Sequence, residues 1–268
     1  MLSNSSAPHP HFDLVVPVYN EEAGLPEFFR RLDNLQLNCQ PIFIDNASTD
    51  RTVEFLKNIA KTVTILENCC CGLPAWFYGD IPAAQNFAEK NLNTLSEQQF
   101  DYIVTDCSSC ASFLKKYPTL FPENDPRLEK AKAISSQLKD VVELIASMGK
   151  PISTKGNITT VTYHDPCHAS RGQNLTKETR EILKNLSEFA YIEMPEADWC
   201  CGGAGSYALS HYELSQSVLD RKMENLKMTK ADLLVTSCPA CMIQLSYGIR
   251  KHGLKTQVRH ISEIISPA

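Results

Sequence analysis

An apolar run leads straight into a spaced pair of cysteines at Asp101-Tyr-Ile-Val-Thr-Asp-Cys-Ser-Ser-Cys110, and the pattern returns at Asp232-Leu-Leu-Val-Thr-Ser-Cys-Pro-Ala-Cys241. Each copy is preceded, at nearly the same distance, by a Cys-Cys-Gly triplet, at 70–72 and at 200–202. No requirement of packing would produce this pattern twice. The sequence therefore predicts a duplicated fold that carries two sites for a soft metal.

Apolar runs typical of buried parallel strands alternate with helical patterns along the chain. The predicted strands are Phe12–Pro17, Pro41–Ile44, Val63–Leu66, Asp101–Thr105, Ile158–Tyr163 and Ala231–Thr236. The predicted helices are Pro26–Leu35, Ala83–Leu95, Arg127–Met148, Lys177–Asn185 and His211–Met228. This alternation indicates an α/β fold with mostly parallel sheets, built as two related Rossmann-like lobes.

A stretch of helix and strand breakers separates the two copies. Residues 148–157 include Gly149, Pro151 and Gly156 and show no periodicity. We place the boundary there, with the first lobe at 1–150 and the second at 151–268. Within the first lobe, residues 61–150 carry the first cysteine motif and residues 1–60 have a different character.

Composition and charge argue against several classes of function. The net charge is −5 and no block of Lys or Arg occurs, which argues against a nucleic-acid ligand. No apolar stretch is long enough to span a bilayer and the first residues do not resemble a secretion signal, so we expect no direct membrane insertion. The 11 cysteines are odd in number and clustered, unlike a secreted disulfide framework, which favours a reducing, cytoplasmic location.

Each C-x-x-C pair is predicted to lie at the carboxyl end of a sheet, because it follows directly on a strand and opens a helix. Ligands collect at that edge in open α/β folds. The positive end of the following helix lowers the pKa of thiols placed there. Cys107 and Cys110 can thus reach one metal centre, as can Cys238 and Cys241.

The Cys-Cys-Gly triplets must form turns if both sulfurs are to serve one site, since adjacent side chains of an extended strand point to opposite faces. Gly72 and Gly202 can adopt positive φ and bring their backbone N-H groups close to sulfur.

Counting sulfur ligands separates the candidate metals. Thiolate ligation selects zinc, Cu(I) or iron-sulfur clusters. The second copy offers five cysteines, whereas structural zinc takes four, usually as two separated pairs, so an iron-sulfur cluster is favoured over zinc and over a disulfide or buried thiols. These five are Cys167, Cys200, Cys201, Cys238 and Cys241. His164 and His168 flank Cys167 and are expected to make orienting hydrogen bonds more readily than to ligate.

The first copy is less complete. Four cysteines are in place, Cys70, Cys71, Cys107 and Cys110, with Cys69 as a substitute. Cys39 is a doubtful fifth ligand because it precedes a predicted strand when it should follow one. An altered cluster, zinc and no metal all remain open for this site.

The cysteine motifs, with the local matches Cys71-Gly-Leu-Pro-Ala75, Tyr163-His-Asp-Pro-Cys-His168 and Val258-Arg-His-Ile-Ser-Glu-Ile264, resemble the cysteine-rich CCG domain family over about residues 65–268. That family includes one of the subunits of heterodisulfide reductase, the glycolate oxidase iron-sulfur subunit and a lactate-utilisation protein. The resemblance implies two CCG domains, each able to hold a non-cubane 4Fe-4S cluster through five cysteines. It also implies a flavin-containing dehydrogenase subunit as partner, together with a further acceptor such as a ferredoxin-type iron-sulfur protein.

The amino-terminal stretches Asp13-Leu-Val-Val-Pro-Val-Tyr-Asn-Glu-Glu22 and Phe43-Ile-Asp-Asn-Ala-Ser-Thr-Asp-Arg-Thr52 resemble the start of nucleotide-sugar glycosyltransferases of the dolichol-phosphate mannose synthase type. In that family the residue matching Asp45 helps to hold the nucleotide. The metal-binding Asp-x-Asp of those enzymes has no counterpart here, so sugar transfer would lack its cation. Residues 1–60 are either a substitute for part of the CCG lobe or a fusion.

We therefore expect an iron-sulfur electron-transfer subunit that works on a 2-hydroxy acid such as glycolate or lactate, or on a disulfide. Any flavin should lie on another chain, because no Gly-x-Gly-x-x-Gly fingerprint occurs. Two other interpretations remain: a zinc-stabilised interaction protein, and a glycosyltransferase-derived fusion without sugar-transfer activity.

Overall fold

A computed structural model describes residues 12–18, 39–45, 69–96, 103–148, 158–205 and 207–265. For residues 12–18 and 39–45 only the backbone enters the description. The described residues form helices and two parallel sheets, as the sequence predicts for an α/β fold. We call the part up to Met148 the first lobe and the part from Ile158 the second lobe.

The first lobe contains a four-stranded, all-parallel sheet in the order β2-β1-β3-β4. Its strands are β1 (Phe12–Val18), β2 (Cys39–Asp45), β3 (Ile103–Thr105) and β4 (Leu138–Asp140). Its described helices are α1 (Leu73–Phe77), α2 (Ile81–Leu95), α3 (Ser108–Leu114), α4 (Arg127–Gln137) and α5 (Val141–Met148), with a 3-10 turn at Tyr117–Leu120.

The second lobe repeats this architecture. Its all-parallel sheet has the order β6-β5-β7-β8, so that β5 takes the place of β1 and β7 that of β3. Its strands are β5 (Thr159–Tyr163), β6 (Phe189–Tyr191), β7 (Leu233–Thr236) and β8 (Gln257–His260). Its described helices are α6 (Cys167–Gln173), α7 (Glu178–Asn185), α8 (Tyr207–Ser210), α9 (Tyr212–Thr229), α10 (Pro239–Lys251) and α11 (Ile261–Ile265).

Two equivalent helices, α2 and α9, pack behind the Cys-Cys-Gly turns. Asp80 caps the amino end of α2, because its carboxylate accepts a hydrogen bond from the Ala83 N-H at 3.0 Å. Lys230 follows the last residue of α9 and adopts positive φ. Each helix buries one stripe at helical spacing. The stripes are Ala84, Ala88, Leu92 and Leu95 in α2, and Ser215, Leu219, Met223 and Leu226 in α9.

Each lobe has its own hydrophobic core, and cysteines of the motifs belong to both. Cys71 lies in the first core, and Cys201, Cys238 and Cys241 lie in the second. The thiols are therefore held by the same packing that stabilises the lobes.

The structure corrects one predicted helix. Arg127–Met148 is not continuous: α4 ends at Gln137, Leu138–Asp140 form a strand beside β3, and α5 begins at Val141. The Asp140 carboxylate caps α5 by accepting from the Val142 N-H at 3.0 Å. Buried apolar residues continue through the break, so helical periodicity does not reveal it.

The strands that run into the cysteine motifs are confirmed, and the short edge strands β4, β6 and β8 were not predicted. Edge strands of three or four residues carry too little apolar alternation to be recognised. The predicted helix Pro26–Leu35 and strand Val63–Leu66 lie outside the described residues, as do residues 149–157. The division of the chain at residue 150 stays a prediction.

Within the described ranges, no helix combines the length and the apolar character needed to cross a bilayer. The longest of them, α9, has 18 residues and carries charged side chains along its exposed face.

Truncation of Leu219 to alanine should lower the free energy of unfolding by about 2–5 kcal/mol, because this fully buried side chain leaves a cavity in the second core. Urea unfolding followed by circular dichroism measures the change. Leu214 on the same helix is 56% exposed, and Leu214→Ala should cost less than about 0.5 kcal/mol. Equal losses in the two variants would contradict the burial of Leu219.

Candidate metal centre

Both C-x-x-C pairs lie at the carboxyl ends of their sheets, as the sequence predicts. Cys107 is the residue before α3 and Cys238 the residue before α10, and both have extended backbone. Their carbonyls accept the first helical hydrogen bonds, from Ala111 and from Met242. The second cysteine of each pair, Cys110 or Cys241, is then one turn into the helix and near its partner.

The two pairs meet at a junction between the lobes. The Ser108 N-H donates to the Ser237 carbonyl at 3.0 Å, and the hydroxyls of these two buried serines lie 2.8 Å apart. This contact places the Cys107 thiol against the Cys238 thiol. Ser109 also reaches across, with its hydroxyl 3.2 Å from the Cys238 sulfur.

Both Cys-Cys-Gly triplets form the predicted turns. Gly72 has φ of 89° and Gly202 has φ of 82°. The Gly72 N-H donates to the Cys70 sulfur at 3.4 Å, and the Gly202 N-H donates to the Cys200 sulfur at 3.3 Å. Both glycines therefore adopt positive φ and bring their backbone N-H groups to sulfur, as the sequence predicts.

The turns and the pairs together bring eight thiols into one continuous run, in which each thiol interacts with the next. The run crosses from the first lobe to the second at its centre and is nearly symmetric about that point. Its order is Cys70, Cys71, Cys110, Cys107, Cys238, Cys241, Cys201 and Cys200. Cys167, the first residue of α6, adds a ninth sulfur. Burial, together with the negative charges of Cys201 and Cys238, raises the pKa of its thiol.

Packing of the thiols shifts their pKa values in opposite directions. Hydrogen bonds from Cys110 and Cys70 lower the pKa of Cys71 to about 3, and those from Cys107 and Cys241 lower that of Cys238 to about 2. The pKa of Cys201 is lowered by hydrogen bonds from Cys200 and Cys241. The neighbouring donor thiols have raised pKa values.

These thiols form a donor set that suits a soft cation. Three thiols that favour the anionic form are buried in a thiol-rich junction, and the ten described cysteines, Cys69 included, are all free of disulfides. A soft metal or iron-sulfur cluster satisfies such a donor set and releases the shared protons when it binds. The residues therefore fit a thiolate-bound centre.

His164 and His168 both contact the cysteines. One nitrogen of the buried His164 lies within 4.8 Å of the Cys201 and Cys241 sulfurs, and neither ring nitrogen has a hydrogen-bond partner among the described residues. The His168 Nδ1 lies 3.1 Å from the Ser109 hydroxyl and 3.7 Å from the Cys167 sulfur. His168 thus connects the second-lobe cysteine loop to the first lobe.

Sequence reasoning missed the ion pair that holds the Cys167 loop. Arg180 on α7 makes two hydrogen bonds to the buried Asp165 carboxylate, at 2.9 and 2.8 Å, and also binds Glu193. The Asp165 N-H donates to the Ala197 carbonyl at 3.0 Å. The residues are separated in the chain and form no motif, so only the fold reveals their relation.

The first motif lacks a described counterpart of Cys167. β1 occupies the place that β5 occupies in the second lobe, and residues 19–22, which follow it, contain no cysteine. Cys39 is the first residue of β2, at the amino end of the strand and away from the ligand edge. The Cys69 sulfur donates to the Phe87 carbonyl at 3.6 Å and lies outside the run of eight.

Comparison with known proteins is consistent with this duplicated arrangement. A family model described as "CCG: Cysteine-rich domain" matches residues 37–115 and 161–246, more than half of the chain. The match begins before residue 65, where the sequence resemblance was expected to start. Residues 1–36 lie outside it, and the glycosyltransferase resemblance of residues 1–60 stays a prediction.

Three curated relatives are similar over most of this chain. They are the "Probable glycolate oxidase iron-sulfur subunit" of Bacillus subtilis (32% identical, covering 75% of this chain and 46% of that protein), "Lactate utilization protein A" of Geobacillus sp. (27%, 84% and 94%), and one of the subunits of the fumarate reductase (CoM/CoB) of Methanothermobacter marburgensis (30%, 74% and 38%). The chain thus spans less than half of two of these relatives and nearly all of the third.

Replacement of Gly202 by alanine should destabilise the second turn, because the new Cβ would lie 2.5 Å from the Ser215 carbonyl oxygen. Gly205→Ala is the matched control: its φ of 58° is also positive, but nothing lies within 4 Å of its Cβ. Thermal unfolding should show a loss for Gly202→Ala that exceeds the control by roughly 1–3 kcal/mol. Equal losses would mean that positive φ alone requires glycine at this turn.

Arg180→Met should cost about 3 kcal/mol of unfolding free energy, because it leaves the Asp165 carboxylate, whose side chain is 3% exposed, buried without its partner. Lys132→Met removes the cation of an exposed pair with Glu129 and should cost less than about 0.5 kcal/mol. Denaturant titration of both variants tests the difference. A loss below about 0.5 kcal/mol in Arg180→Met as well would show that the pair does not hold the loop.

Proposed function

Because this chain belongs to the cysteine-rich CCG domain family, we propose that it is an iron-sulfur electron-transfer subunit of an oxidoreductase. The observation that carries the proposal is the continuous run of eight thiols joined across the two lobes, with Cys167 as a ninth. Zinc structural sites are closed sets of four ligands, which the five cysteines of the second lobe exceed once Cys167 is counted.

In this proposal the second centre is held by five cysteines and shaped by the Gly202 turn. Its ligands are Cys167, Cys200, Cys201, Cys238 and Cys241. The first centre is held by four, Cys70, Cys71, Cys107 and Cys110. A 4Fe-4S cluster, of non-cubane form where five cysteines bind it, would supply one-electron uptake and release.

The two candidate centres differ in the exposure of their cysteines. Cys201 and Cys238 are 3% and 1% exposed, and Cys200 is half-buried, whereas its counterpart Cys70 in the first motif is exposed. Burial raises the energetic effect of every charge near the second centre. The Cys107–Cys238 contact connects the two sets of ligands directly.

The relatives support a substrate class and a partner. Two of them are named for glycolate oxidation and lactate utilisation, which supports a 2-hydroxy acid as the reductant. In this proposal a flavin-containing partner subunit oxidises that acid. A disulfide is the other candidate substrate class. A ferredoxin-type protein is a further candidate partner, and the ten free cysteines suit the reducing cytoplasm.

Zinc is a second candidate for the first motif alone. This site has two separated cysteine pairs, at 70–71 and at 107 and 110, and thus the four thiols that zinc takes. Such a mixed protein would still carry electrons at its second centre.

Anaerobic purification followed by iron, acid-labile sulfide and zinc analysis should yield a brown protein with matching iron and sulfide. The double variant Cys200→Ser, Cys201→Ser should lose the iron and absorption of the second centre. Cys69→Ser, which removes a thiol outside the run, is the control and should keep both. Zinc without sulfide in the natural protein, or full iron content in the double variant, would contradict the proposal.

A further inference from the structure

A lysine is fully buried behind the second Cys-Cys-Gly turn. Lys222 lies on α9 with 0% exposure, and its Nζ donates to the Glu196 carbonyl at 2.6 Å and to the Ala197 carbonyl at 3.1 Å. Among the described residues, no carboxylate lies within salt-bridge distance of this Nζ. Two carbonyl dipoles therefore hold the ammonium group in place without cancelling its charge.

The negative charges that act on Lys222 include two of the candidate ligand thiols. Burial lowers the pKa of Lys222 to about 8, and the field of Cys201 opposes that shift most strongly, followed by Asp165, Asp198 and Cys200. Asp165 is already paired with Arg180, and Asp198 is exposed. The Glu196 carboxylate, which also acts on Lys222, is paired with Arg221. The two carbonyl acceptors and the thiols of Cys201 and Cys200 favour the ammonium form of the lysine.

The first lobe has a neutral residue at the equivalent position. A Cβ added at Gly72 would face the Ala84 carbonyl of α2, and one added at Gly202 would face the Ser215 carbonyl of α9. Ala84 and Ser215 are therefore equivalent positions on the two helices. The same offset superposes the buried stripes of the two helices and places Asn91 opposite Lys222. The Asn91 amide donates to the Cys70 carbonyl at 3.1 Å and to the Tyr117 hydroxyl at 2.9 Å.

Resting on the proposed iron-sulfur function, we propose that Lys222 is a positioning residue that raises the reduction potential of the second centre by placing an uncancelled buried cation behind Cys200 and Cys201. Reduction adds one electron, from a flavin or iron-sulfur donor, and forms or breaks no bond. A fixed positive charge favours the more negative state, and low exposure prevents water from screening it. Where both centres are loaded, Lys222 shifts the balance of electron affinity toward the second.

The test compares reduction midpoints at pH 7 in Lys222→Gln, Lys222→Arg and Lys227→Gln. Lys227 is an exposed lysine on the same helix and controls for overall charge. Redox titration with mediators, followed by visible and electron paramagnetic resonance spectra, measures the midpoint of each signal. The signal of the second centre is the one that disappears in the double variant Cys200→Ser, Cys201→Ser. Iron and sulfide are measured in every preparation.

Lys222→Gln should make reduction of the second centre about tenfold less favourable, equivalent to about 59 mV for one electron. Lys222→Arg and Lys227→Gln should leave the midpoint unchanged. An unchanged midpoint in an iron-loaded Lys222→Gln would overturn the inference, as would an equal shift in Lys227→Gln.

If Lys222→Gln loses its iron, the result for Lys222→Arg decides between a charge role and a packing role. Retention of iron and midpoint by Lys222→Arg would support the need for charge. Loss of iron or a lowered midpoint in that variant would assign Lys222 a packing role and overturn the inference. Absence of iron and sulfide from the natural protein is a separate result, which refutes the proposed function itself.

Discussion

Two buried serines join the halves of the candidate site. The backbone N-H of Ser108 binds the carbonyl of Ser237, their hydroxyls are in contact, and Tyr163 hydrogen-bonds the Ser237 hydroxyl at 3.0 Å. Each serine directly follows or precedes the leading cysteine of its C-x-x-C pair. A shift at this junction would separate Cys107 from Cys238 and divide the run of thiols in two. The junction is shielded from water, so these hydrogen bonds face no competition from solvent.

The two lobes are copies of one scaffold, and they differ at individual residues around the cysteines. The turns, the pairs and the buried stripes of α2 and α9 correspond closely. The fifth sulfur, from Cys167, occurs only in the second lobe among the described residues, where the Asp165–Arg180 pair holds its loop. Asn91 and Lys222 occupy equivalent positions with different charge. In the proposed function, such differences would give two similar centres different affinities for an electron.

Prediction from sequence succeeded where structure is local and failed where it depends on distant contacts. The strands before both C-x-x-C pairs, the helices that follow and the glycine turns each depend on a few neighbouring residues. The helix expected over 127–148 is broken because Leu138–Asp140 gain a partner in β3, which lies far away in the chain. The edge strands β6 and β8 likewise depend on pairing with β5 and β7.

The amino-acid sequence by itself determined the duplication, the strand-turn-helix setting of both C-x-x-C pairs and the soft character of the candidate ligands, because these follow from residue type and short-range spacing. Only the tertiary structure decided that the two cysteine sets meet at Ser108 and Ser237, that Arg180 supports Asp165, and that Lys222 lies behind Cys200 and Cys201. Each of these relations joins residues on different elements. Their energies arise from burial and from distance in space, which the order of residues along the chain does not specify.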